Sequence, residues 1–140
     1  MSSRARATVA LAALLLGAPG AGGCGGAEEN GPGMSPGEDC LGCHNPAGSA
    51  SGHWFGAAGT VFDGAGNPAA GVAVNLVDSR ARQVDDVTNW AGNFYFAQEL
   101  TPPLQVSVVG PAGDRTMADA TGACNSCHQP GGTPGPIVFP

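Results

Sequence analysis

Cys40-Leu41-Gly42-Cys43-His44 and Cys124-Asn125-Ser126-Cys127-His128 set the same three reactive side chains at the same spacing near the two ends of a chain of 140 residues. Two thiols separated by two residues are presented by one tight turn to one edge of a planar ligand. An imidazole directly after the second thiol then lies beneath that plane. This is how the two vinyl groups of a porphyrin take thioether bonds while its iron takes a proximal nitrogen, the C-x-x-C-H attachment signature of haem c. Two copies predict two covalent haems c. One is held by Cys40 and Cys43 with His44 on its iron, the other by Cys124 and Cys127 with His128 on its iron. Gly42 and Ser126 keep each turn uncrowded, and Asn45-Pro46 and Gln129-Pro130 lead the chain away from the ring.

Two other chemistries use the same cysteines. Each C-x-x-C pair can close as a disulfide, or both pairs can gather around zinc; either makes the protein a cell-surface β-sandwich binding module with disulfides or a structural metal site. The long separation of the pairs departs from zinc-ribbon spacing, and zinc gives no reason for both histidines. A haem enzyme such as a small peroxidase is a further rival. No arginine stands beside either motif, so the expectation is electron transfer and not an enzyme.

The sixth iron ligands stay open. His53 is the third and last histidine, in a Gly- and Ser-rich loop beside Trp54 and Phe55, and it is read either as a distal ligand or as an exposed loop residue. The other iron has no histidine left for it, so Met117 or Met34 serves, or the iron stays five-coordinate; Met117 also reads as a core residue of the last strand.

Between the motifs lies the element that must position them. Val72, Val74 and Leu76 alternate with Ala73, Asn75 and Val77, and Phe94 with Phe96 and Val106 with Val108 repeat the period of two. Turn residues separate these runs at Asp63–Pro68, Asn89–Asn93 and Pro102-Pro103. No amphipathic helix is visible. The pattern predicts an all-β antiparallel sandwich.

Val61-Phe62-Asp63, the turn Gly66-Asn67-Pro68, the strand Gly71-Val72-Ala73-Val74, the run from Thr88 through Gly92 to Phe94-Tyr95-Phe96, Pro102 and Val106-Ser107-Val108 follow a recognisable order. This stretch, Gly59 to Val109, resembles the carboxypeptidase regulatory-like, transthyretin-like domain. The resemblance implies a Greek-key β-sandwich and says little about activity. Together with the paired motifs, the chain resembles a dihaem c-type cytochrome lipoprotein.

The ends place the protein. Arg4 and Arg6 precede the apolar run ATVALAALLLGA, an export signal too short to span a bilayer. Ala21-Gly22-Gly23-Cys24 resembles the lipobox of bacterial lipoproteins, in which the cysteine is acylated. Cys24 is also the one cysteine outside the pairs, an odd thiol that acylation would occupy; cleavage by the ordinary signal peptidase is the alternative. The expected location is periplasmic or outer-membrane-associated, on a membrane surface through the lipid anchor. Residues 1–23 read as signal peptide, 24–39 as flexible tether, 40–56 as first haem segment, 57–120 as sandwich and 121–140 as second haem segment.

Cleavage removes Arg4 and Arg6 and takes the net charge from −6 to −8, with no lysine anywhere in the chain. Such a surface excludes nucleic acid as a partner and suits a basic redox protein.

Overall fold

A computed structural model describes residues 33–139. The leader and Cys24 lie outside the described residues. The alternating runs form seven strands: β1 Ala57–Phe62, β2 Ala73–Val77, β3 Gln83–Val87, β4 Asn93–Phe96, β5 Leu104–Val109, β6 Arg115–Ala120 and β7 Ile137–Val138. They build an all-β sandwich of two sheets, in the orders β4-β1-β7 and β3-β2-β5-β6. Val74 and Leu76 of β2, Phe94 and Phe96 of β4, and Leu104, Val106 and Val108 of β5 point between the sheets and form the core with Val61. Their period of two is the reason they do so.

Strand β1 breaks the alternation. All six of its residues are buried, so it is covered on both faces. Ala57 and Val61 join the inter-sheet core. The cover over Thr60 comes from the two ends of the chain: Gly37 N donates to the Thr60 hydroxyl, and the side chain of Asn125 bonds the same residue.

The described residues on both flanks of the sandwich are thus part of the folded unit. Residues 24–39 read as tether; among those described, the Met34 carbonyl accepts a bond from Asn93 Nδ2. Residues 121–140 read as the second haem segment, and within them Ile137 and Val138 pair in parallel with Val61 and Phe62 as β7. The register of β5 on β6 shifts between Leu104 and Val106, and Asp119 sits at φ 60°. This bulge turns Ala120 inward and aims the chain at the second motif. Among the described residues no helix is long and apolar enough to cross a membrane.

Candidate functional site

Each motif closes as one helical turn, α1 over Cys40–Cys43 and α2 over Cys124–Cys127. The two turns are near copies. His44 N donates to Cys40 O, and His128 N to Cys124 O, both at 2.9 Å. The histidines leave the helical region with φ/ψ of −88°/53° and −95°/64°. The first sulfur in each lies 3.6 Å from the carbonyl two residues earlier, Glu38 or Gly122. Residues three apart on a helical turn share a face, which is what the C-x-x-C spacing is for. Two local sequences that differ at every other position therefore reach one conformation.

The histidine rings are also held alike. His44 Nδ1 lies 2.7 Å from the His53 carbonyl, and His128 Nδ1 lies 3.0 Å from the Gly135 carbonyl. A carbonyl only accepts, so in the neutral imidazole Nδ1 carries the proton and Nε2 the lone pair. Ring orientation by a backbone acceptor on the far nitrogen is the usual support of a metal-ligating histidine. His44 Nε2 is buried with no hydrogen-bond partner, a position shared among the described residues only by Asp39 Oδ1. His128 Nε2 faces the Met117 sulfur at 3.4 Å. With Nδ1 protonated, this contact joins two electron-pair donors with no proton between them.

Other expected residues are placed differently. The His53 side chain is exposed at the end of a 3-10 turn, Ser51–His53, and its backbone supports His44 from the Nδ1 side. Met117 is 38 % exposed on β6 and does not belong to the core. Phe55, from the same loop as His53, stacks directly on the His44 ring.

The four cysteines are unequal. Cys127 is an exposed free thiol, Cys40 is half-buried and free, and Cys124 is free but buried within the hydrophobic core. Burial pushes the Cys124 thiol up to about 12, with the nearby Cys40 adding to the shift. Burial likewise pushes Cys40 up to about 11, the carboxylates of Asp39 and Glu38 adding to it. Cys43 is disulfide-bonded. One sulfur cannot hold a disulfide and a thioether together, so haem attachment at the first motif requires Cys43 as a thiol.

The sequence suggests one site on each flank, but the fold brings both motifs onto β1. The α2 turn is bridged to it at Ala58↔Ala123. A Cβ added at Gly59 would stand 2.9 Å from Cys124 Cβ and 2.8 Å from Phe94 Cζ, so glycine is what permits the approach. On the other face of β1, Thr60 Oγ1 donates to Asn93 Oδ1 at 2.7 Å and accepts from Gly37 N at 2.9 Å and Asn125 Nδ2 at 3.0 Å. Sequence reasoning missed Thr60, Asn93 and Asn125. The one available signal was a polar residue inside the apolar run of β1.

Haem c fits these residues on two counts: the duplicated C-x-x-C-H turns, and the histidine nitrogens left with a free lone pair. Zinc fits less well, since among the described residues no three or more of His, Cys, Asp and Glu are gathered to hold a metal. No family model, curated protein or solved structure matches the chain.

Proposed function

We propose that this protein is an exported electron carrier with two covalently bound haems c, and that it is not an enzyme. The observation that carries the reading is the repeated histidine geometry. In both motifs a backbone carbonyl fixes Nδ1 and leaves Nε2 available, once buried and orphaned, once facing a thioether. Cys40 and Cys43 would hold one haem with His44 as axial ligand, and Cys124 and Cys127 the other with His128. Met117 is the candidate sixth ligand at the second site. His53, exposed and behind His44, remains the candidate at the first only if its loop rearranges.

A bound haem iron supplies one-electron exchange between ferric and ferrous states. The chain's own residues do the rest. The His53 and Gly135 carbonyls orient the imidazoles, Phe55 packs on one of them, and the core around Cys124 excludes water from one edge of the second site. The sandwich, read as transthyretin-like, acts as the mount. The leader and Cys24 give the location as a lipid-anchored, periplasmic or outer-membrane-associated protein, and the acidic surface suits a basic redox partner.

The disulfide at Cys43 favours a second reading, a sandwich binding module stapled by cysteines. Against it, neither C-x-x-C pair is closed, since Cys40, Cys124 and Cys127 are free. The experiment is the mass and pyridine haemochrome spectrum of the mature protein from a host with a haem c maturation system. Two haem increments support the carrier; none, with cysteines oxidised, supports the module.

A further inference from the structure

We propose that Thr60 is a positioning residue that locks the two histidine-bearing motifs into one unit, so that a change at one site is felt at the other. The proposal rests on the two-haem reading. It concerns a residue that no spacing or motif singles out.

A threonine hydroxyl has one proton to donate and two lone pairs. In Thr60 all three are used, by Asn93 Oδ1, Gly37 N and Asn125 Nδ2. Its backbone N–H donates to Asn125 Oδ1 at 3.0 Å, so Asn125 grips Thr60 with both ends of its amide across 65 residues of sequence. Asn125 lies inside the second motif, between its cysteines. Gly37 leads into the first motif, and Asn93 reaches Met34 in the same lead-in. One oxygen on β1 thus joins both motifs.

Burial makes the joint stiff. Thr60 is 0 % and Asn125 1 % exposed, so no solvent stands by to replace a lost bond. Breaking one partner in such a network leaves buried donors and acceptors orphaned. A shift of α2 carries Asn125, and with it Thr60, Gly37 and the approach to α1. The contact of Cys124 with β1 at Gly59 acts on the neighbouring residue of the same strand. Coupling between sites travels through contiguous packed and hydrogen-bonded groups of this kind.

The test uses the mature two-haem protein. Thr60→Val keeps the shape and removes the hydroxyl; Thr60→Ser keeps the hydroxyl. Haem count is read by mass, and the two sites by electron paramagnetic resonance and potentiometric titration. The expected result is a Thr60→Val protein with two haems in which the signals and midpoints of both sites move, and a Thr60→Ser protein in which both return. Movement at one site or at neither overturns the proposal. Should Thr60→Val fail to accumulate, amide exchange decides. The Gly37 N–H should lose at least tenfold in protection in Cys124→Ala/Cys127→Ala, and unchanged protection overturns the link. If the wild-type chain carries no haem, the two-haem reading fails separately. Gly37 exchange in wild type against Asn125→Ala then still decides the Thr60 link, by the same tenfold loss or its absence.

Discussion

The ring of Phe55 lies flat against the ring of His44, centroids 4.4 Å apart and planes 21° from parallel, and Tyr95 stacks on the other side of Phe55 at 4.8 Å. The His44 imidazole is thereby fixed twice, by a carbonyl in its plane and an aromatic face against it. Phe55→Leu should keep the apolar volume and lose the stack, worth roughly 0.5–1.5 kcal/mol for an aromatic pair. The first site's spectrum should broaden or shift while the second stays as it was, as electron paramagnetic resonance of the two-haem protein would reveal.

Met117 tests the second site in the same way. If its sulfur takes the iron opposite His128, Met117→Ala should lower that site's reduction potential, because thioether ligation raises it. The first midpoint should hold. A potentiometric titration in which neither midpoint moves removes Met117 as a ligand.

Gly59→Ala places a methyl against Phe94 and the Cys124 Cβ, both under 3 Å away. Overpacking of this kind costs about 1–3 kcal/mol. It should displace α2 and reduce haem retention at the second motif, measured as haem per chain. Gly52→Ala, with nothing within 4 Å, is the control and should change nothing.

The folded chain without haem should show graded thiols. Exposed Cys127 should react first with iodoacetamide near neutral pH, while Cys124 resists until the fold opens, because only the thiolate attacks. Burial raises Cys124 from an ordinary 9.0 to about 12 and Cys40 from 9.0 to about 11. The fold therefore keeps protons that the unfolded chain releases, and stability, full below about pH 9, should fall as pH rises toward 12. Cys124→Ala should flatten that decline in alkaline denaturation curves. On the two-haem reading, the same burial requires that haem reach Cys124 before the sandwich closes.

Cys24→Ser should move the protein from the membrane fraction to the soluble one with both haems still attached, since a Cys24 sulfur occupied by lipid, or replaced by a hydroxyl, leaves Cys43 to its haem. A wild-type protein already soluble without detergent removes the anchor.

How much of this was legible depends on sequence distance. The C-x-x-C-H turns are local, and they fold as their spacing requires. Strands β2, β4 and β5 announce themselves because one face is core and the other is not. Strand β1 does not, since Ala57, Thr60 and Val61 are buried together and erase the alternation. Strand β7, Ile137–Val138, is two residues long and exists only because β1 offers it an edge. The Thr60–Asn125 pair spans 65 residues, and the carbonyls that orient His44 and His128 come from residues 9 and 7 further on, in loops without a pattern. Nothing local distinguishes them, so the meeting of the two motifs could be found only in three dimensions.

The bridge at Ala123 and the short strand at Ile137 pin the chain to β1 on both sides of the second motif. Residues 124–136 therefore form a handle whose ends are already tied, so much of its closure entropy is met by the sheet. Lengthening such a handle is inexpensive, about 0.6 kcal/mol for each doubling. Its outer stretch, Pro130 to Pro134, is exposed and Gly- and Pro-rich. It is where residues can be gained or lost while the ties hold, and so where access to His128 can be widened or narrowed without disturbing the core.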